Sequence, residues 1–229
     1  RHDGLDPLMP ALLALEAIEH VADGAWLLRD VSLRVEEGSV TALVGGAEAG
    51  KSLLVAIALG LVHPRAGTVR LAGQDVTPLA SLRRQQLGLR AARQEPDLFA
   101  GLDVEEHLAL AATGGRLEPR PLAKLEEYLP ELADLLPLDA AQLDRRSRRI
   151  VDIARALLGL PRVLVLDHVF PGLGVERAGE LVTALARDGF TLLLAERYGE
   201  VAMRHADWGY VLAEGRIQAE GPAGRLAAV

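Results

Sequence analysis

From Val40 to Leu59 the chain runs Val-Thr-Ala-Leu-Val, then Gly45-Gly46-Ala47-Glu48-Ala49-Gly50-Lys51-Ser52, then an Ala/Leu-rich stretch that begins at Leu53. A short apolar run stopped by glycine suits a buried strand, and the Ala/Leu stretch suits a helix. An eight-residue loop that opens on glycine and closes on Gly-Lys-Ser, set between such a strand and helix, is a pattern that cradles phosphate. Gly45 and Gly50 let successive N–H groups turn inward, and the helix beginning near Lys51 adds the positive end of its dipole at the same point. Lys51 is expected to reach the outer phosphates and the Ser52 hydroxyl to ligate Mg2+. Lysine usage points the same way: of 25 basic residues only Lys51 and Lys124 are lysine.

The remaining composition narrows the classes. With 229 residues, half of them apolar, the chain is long enough to bury a full core as one large domain, or as one domain with an inserted subdomain. It has no cysteine, so neither disulfides nor thiol chemistry enter. No apolar run approaches the roughly 20 residues of a membrane span, and the opening residues carry no leader pattern. A net charge of -7 and only eight aromatic residues argue against a nucleic-acid surface. Arg1 to Pro10 reads as an N-terminal tail.

Leu12–Glu16, Trp26–Val35, Val40–Val44 and Thr68–Leu71 read as strands, with turns at Asp23-Gly24 and at residues 36–39. The antiparallel pairs ahead of the loop predict a small β layer beside a main sheet. A short helix is expected at Leu79–Arg84. From about Asp103 to Asp144 β character disappears, and helix-spaced Leu and Ala at Val104–Ala112, Pro121–Leu129 and from Ala140 are divided by Gly114-Gly115 and several prolines. Ile150–Leu158 reads as a helix, and Val163–Asp167 as a buried parallel strand ending in a carboxylate. Val175–Arg187 (helix), Thr191–Ala195 (strand), Val201–His205 (helix) and the hairpin of Trp208–Leu212 with Arg216–Ala219 follow. Buried strands alternating with helices predict an α/β, three-layer architecture. A strand-end aspartate is ordinarily a cap or turn residue; paired with Gly45–Ser52, Asp167 becomes a metal partner for Ser52.

The order of these elements resembles the ATP-binding cassette (ABC) ATPase family from about Leu12 to Ala228, and most of all the short nucleotide-binding subunits of branched-chain amino acid importers. Arg65-Ala66-Gly67-Thr68-Val69, Leu98-Phe99 with Leu102–Leu108, Ile153-Ala154-Arg155-Ala156-Leu157, and Glu214-Gly215-Arg216-Ile217 with Glu220-Gly221-Pro222 carry the likeness beyond the loop. The resemblance implies a P-loop cassette over residues 11–229: a mixed, mostly parallel sheet, a small antiparallel β layer and a helical subdomain at about 103–146. It also implies Mg2+ and ATP held by Gly45, Gly46, Ala47, Glu48, Ala49, Gly50, Lys51, Ser52, Leu53, Gln94 and Asp167, with Ser52, Gln94 and Asp167 on the metal side. A second cassette, transmembrane permease subunits and a place at the cytoplasmic face of the membrane are further implications.

Several positions depart from the family's pattern. The glutamate expected after Asp167 is His168, the switch histidine falls on Arg197, and the L-S-G-G-Q signature falls on Leu143-Asp144-Arg145-Arg146-Ser147. The adenine-stacking aromatic falls on Ala22, or on Val21 by a one-residue slip. Within the loop, Glu48 stands where the family has glycine and Leu53 where it has threonine. His168 is bulkier than the carboxylate it replaces, so a large loss of rate is expected, while Arg197 keeps positive charge at the γ-phosphate. Arg145 and Arg146 cannot make glycine's close backbone approach; they read as part of a solvated basic helix start over Arg145–Arg149, or as an arginine finger. Glu48 is tolerable only if it points outward. Trp26 reads as a half-buried strand residue or as a substitute platform for adenine. His63, His107 and His205 read as ordinary surface or satisfied histidines, Gly172-Leu173-Gly174 lies in the family's dimer-seam loop, and Asp97–Leu102 is where a permease's coupling helix would dock.

Three functions remain open on these residues: an ATP-binding transporter subunit degenerate in catalysis, a nucleotide-sensing scaffold of the same fold, and an active ATPase with His168 as base.

Overall fold

A computed structural model describes residues 11–112 and 115–227; the tail Arg1–Pro10, Gly114 and Ala228 lie outside the described residues. Two long strands, β1 (Ala11–Ala22) and β2 (Ala25–Glu36), form a hairpin. Both turn residues, Asp23 and Gly24, have positive φ (50° and 76°), as a two-residue hairpin turn requires. β4 (Ala66–Leu71) and β5 (Gln74–Asp75) complete an antiparallel sheet of order β2-β1-β4-β5. This is the small β layer the sequence predicts, although β1 runs six residues past Glu16.

The main sheet has the order β10-β9-β3-β8-β7-β6. Its strands are β3 (Val40–Val44), β6 (Leu89–Ala92), β7 (Val163–Asp167), β8 (Leu192–Glu196), β9 (Trp208–Ala213) and β10 (Arg216–Pro222). All are parallel to their neighbours except β10, which returns antiparallel along β9. β3, β7 and β8 are buried at every position, because both faces of the sheet are covered. Val40, Ala42, Val44, Leu164, Leu166, Leu192 and Leu194 pack on one face, and Leu43, Val163, Val165, Leu193 and Ala195 on the other.

The second face carries α1 (Lys51–Ala58) and the antiparallel sheet. The first carries α6 (Arg145–Leu158), α7 (Val169–Leu173), α8 (Val175–Arg187) and α9 (Gly199–Met203). α2 (Ser81–Gln86) leads into β6, and α10 (Ala223–Leu226) follows β10. Between β6 and α6 lie α3 (Val104–Ala111), α4 (Pro119–Tyr128), α5 (Leu132–Leu135) and a 3-10 turn, Ala140–Gln142. α3 starts on a capping box: Asp103 accepts from the Glu106 N–H at 2.8 Å, and Glu106 accepts from the Asp103 N–H at 2.9 Å.

Several elements differ from the sequence reading, β5 and α10 among them, which it did not contain. α6 begins at Arg145, not Ile150, because Asp144 caps it by accepting the Ser147 N–H at 2.7 Å. β6 and α7 were not expected, the first because Arg90 interrupts a four-residue run, the second because Pro171 and Gly172 sit inside it.

Candidate functional site

Register brings the site together. Val44 pairs with Glu196 and Asp167 with Ala195, so the C-terminal ends of β3, β8 and β7 finish at one level. From that edge emerge the Gly45 loop, Glu196-Arg197 and Asp167-His168.

The loop is shaped by close approach. A Cβ on Gly45 would stand 2.1 Å from the Leu212 carbonyl oxygen, and Gly50 takes φ 104° against Leu28 and Leu27. α1 starts at Lys51 with no side-chain cap, so its first N–H groups face the loop. The Lys51 side chain is 2% exposed and turns into the loop, donating to the carbonyls of Gly45 (2.9 Å) and Gly46 (2.7 Å). Burial pulls its pKa below the ordinary lysine value, opposed by the negative charges of Asp167 and Glu196 and reinforced by Arg197. Gly46, Ala47, Glu48 and Ser52 are exposed, Ala49 is buried and Leu53 half-buried, so Glu48 does stand at the surface.

Ser52, Gln94 and Asp167 line one cavity of about 270 Å3. Hydroxyl, amide and carboxylate oxygens suit a hard divalent cation such as Mg2+, and the loop, with the Lys51 ammonium turned into it and the uncapped N-terminus of α1 behind it, suits a phosphate chain. The residues present therefore fit Mg2+ and ATP.

Asp167 is buried, and its Oδ1 lies 2.8 Å from His168 Nδ1. His168 has left-handed backbone angles (φ 55°, ψ 47°), its N–H donates to the Ala195 carbonyl at 3.0 Å, and it precedes α7. Arg197 is exposed. A residue the sequence reading missed stands beside them: Glu196, fully buried, accepts the Phe170 N–H at 3.0 Å through Oε1, while Oε2 has no hydrogen-bond partner among the described residues. Burial raises its pKa. The signal was available, since Leu192–Glu196 ends in a carboxylate just as Val163–Asp167 does.

The arginines of the basic helix start Arg145–Arg149 part company. Arg145 is exposed and Arg146 pairs with Glu131 at 3.2 Å, but Arg149 is 3% exposed and donates to main-chain carbonyls. The solvated reading is corrected there: the register of α6 turns Arg149 inward. Ala22 ends β1; Trp26, paired across the hairpin with Val21, is 40% exposed beneath the Arg65 guanidinium, which lies 5.2 Å from the ring centroid. His107 is buried between the Asp103 carbonyl (Nδ1, 2.7 Å) and the Phe99 N–H (Nε2, 2.8 Å). A larger cavity, about 490 Å3 and mostly apolar, lies away from this chemistry, ahead of β7 and β8, with Leu125, Tyr128, Leu157 and Phe190 in its wall.

The sequence profile described as ABC transporter matches residues 28–170, which hold the loop, Gln94, α6 and Asp167. The chain belongs to the ABC transporter family. It is an ATP-binding cassette of that family, and such cassettes in general bind ATP with Mg2+ and pair with a second cassette and permease subunits. It is 30% identical over 198 residues to the high-affinity branched-chain amino acid transport ATP-binding protein BraG of Pseudomonas aeruginosa, covering 83% of this chain and 84% of that one. The probable branched-chain amino acid transport ATP-binding protein LivF of Archaeoglobus fulgidus is 32% identical, covering 87% of each. Among solved structures, an ATP-binding subunit of an ABC transporter superposes with a TM-score of 0.82 at 26% identity, covering 95% of this chain and 92% of the other. A nucleotide-free cassette superposes equally well, 0.82 at 24% identity with 96% and 95% covered, which bears on fold alone. Within this ABC cassette no helix among the described residues is long and apolar enough to cross a membrane.

Proposed function

We propose that this cassette grips Mg·ATP in the Gly45–Leu53 loop, with Ser52, Gln94 and Asp167 at the metal, and that hydrolysis in its own site is slow. The observation that carries the reading is the pairing of an intact grip with an altered cutting position. Lys51 is buried and aimed into the loop, yet the residue after Asp167 is an imidazole bonded to Asp167 instead of a carboxylate. When bound, Mg2+ neutralises charge on the outer phosphate oxygens. The chain's own residues bind and orient: loop N–H groups and Lys51 hold phosphate, and Arg197 adds positive charge at the edge of β8. His168 presents no carboxylate to a water.

Such a site is useful beside a more complete one. The cassette, residues 11–229 with a helical subdomain at about 103–146, would pair with a second, catalytically complete cassette and dock on a permease at the cytoplasmic face of a membrane. Leu98 and Phe99 support the docking side, since Phe99 is 59% exposed and held in place through its N–H on His107. The similarity to branched-chain amino acid transport proteins makes that substrate class the first to assay.

A second reading rests on the same 2.8 Å contact: with Nδ1 held by Asp167, the Nε2 of His168 is left as a base. Titration of the chain with ATP and Mg2+, alone and with a co-expressed complete cassette and permease, read beside phosphate release, separates the two. Binding without turnover supports the first; turnover by the isolated chain that disappears in His168→Ala supports the second.

A further inference from the structure

Arg149, Asp152 and Arg155 stand three residues apart on α6 and share a face. All three reach the main chain of the loop that carries Gln94. Arg149 donates to the carbonyls of Arg93 and Gln94, the latter at 2.5 Å, and more weakly to that of Asp167 at 3.4 Å. Asp152 accepts the Arg93 N–H at 2.9 Å, and Arg155 donates to the Asp97 carbonyl at 2.8 Å. The Arg93 and Asp97 side chains pair within the loop.

Residues 94–98 make no backbone–backbone hydrogen bond among the described residues. Their course is therefore set by these side chains of α6. Two of the three are buried, Arg149 at 3% and Asp152 at 8% exposure, and burying charge is unfavourable unless hydrogen bonds compensate it. The backbone closes over the guanidinium as well: a Cβ on Gly172 would lie 2.9 Å from Arg149 Nε. Arg149 thus touches the Gln94 loop, the end of β7 and α7 from one position on α6.

We propose that Arg149 and Asp152 are positioning residues for Gln94. They fix its loop to α6 and so set where the glutamine stands relative to Ser52 and Asp167 in the 270 Å3 cavity. The inference rests on the reading that Mg·ATP binds at the Gly45 loop with Gln94 at the metal.

Amide hydrogen exchange across residues 93–98 and Mg2+ titration at fixed fluorescent ATP analogue test it in the full chain. Asp152→Ala and Arg149→Met should speed exchange in the loop and raise the half-saturating Mg2+ concentration about tenfold, as loss of an outer-shell partner does, with affinity for metal-free nucleotide unchanged. Asp152→Asn, which keeps an acceptor for the Arg93 N–H, should recover most of both effects and guards against misfolding of the alanine variant. Faster exchange with an unmoved Mg2+ midpoint would reduce the clasp to a structural support and overturn the proposal. So would unchanged exchange. A parent chain that takes up no Mg·ATP defeats the functional reading instead, and the exchange rates then decide alone whether α6 orders the loop.

Discussion

His168 Nδ1 lies 2.8 Å from Asp167 Oδ1, so the imidazole is tied to the carboxylate expected at the metal. The left-handed backbone of His168, φ 55°, fixes where its side chain leaves β7. In the proposed reading this imidazole contributes little to cleavage. His168→Ala should leave ATP turnover within about twofold of the parent, whereas His168→Glu, which restores a carboxylate, should raise it by about tenfold or more. Phosphate release with a complete partner cassette whose own catalytic glutamate is removed measures both.

Lys51 gives the binding half of the proposal its sharpest test. Its ammonium is held by the Gly45 and Gly46 carbonyls at 2.9 and 2.7 Å, inside the loop that would receive phosphate. Lys51→Ala should weaken Mg·ATP binding about ten- to a hundredfold, the worth of one or two charge-assisted hydrogen bonds. Gly45→Ala should weaken it as well and lower stability, because the added methyl meets the Leu212 carbonyl. Calorimetric titration of the two variants against the parent is the measurement, and undiminished binding in Lys51→Ala would remove the loop from the site.

Fully buried parallel strands were the most legible part of the chain. Val40–Val44 and Val163–Asp167 have as bounds the residues their apolar runs suggest, because burial on both faces leaves an uninterrupted pattern. β6 was hidden because it is recognised by its partner, Leu89 to Ala92 aligned on Val163 to Leu166, and a neighbour 74 residues along the chain leaves no local trace. The loop, Gln94 and Asp167 stood out as residues and as motifs. Arg149 and Glu196 did not. The four arginines of this helix start look alike in sequence, and only the packing of α6 against the Gln94 loop distinguishes the one that is buried.

A second buried arginine predicts a stability effect with no effect on the site's chemistry. Arg84 is fully buried and donates to four carbonyls: Ile57 and Ala58 at 2.7 Å, Thr77 at 2.9 Å and Leu79 at 3.0 Å. Two of these belong to the C-terminal end of α1, where positive charge also favours the helix dipole. Burial lowers the Arg84 pKa without neutralising it. Arg84→Met keeps much of the volume but leaves the Ala58, Thr77 and Leu79 carbonyls without their guanidinium partner, Ile57 keeping the Gly60 N–H at 3.1 Å, at a cost of about 3–5 kcal/mol. Urea unfolding of parent and variant reads this directly, and a loss below about 1 kcal/mol would mean that water replaces the guanidinium.

The helical segment is joined to α8 by a charge network whose pH dependence has a definite sign. Arg177 donates to Glu131 through Nε at 3.0 Å and Nη2 at 3.1 Å, and Arg146, from the signature-equivalent stretch, adds a contact at 3.2 Å. Hydrogen bonding from Arg177 is the main cause that lowers the Glu131 pKa from 4.5 to about 2. The folded state therefore binds this proton less readily than the unfolded chain. Its contribution is complete above the unfolded value and disappears as pH falls from 4.5 through about 2. Both side chains are partly exposed, 31% for Glu131 and 20% for Arg177, so solvent screening brings the contribution to about 1–2 kcal/mol. Glu131→Gln should lower the melting temperature at pH 6 and lose most of that deficit by pH 3. A deficit of equal size at both pH values would assign the effect to packing and not to charge.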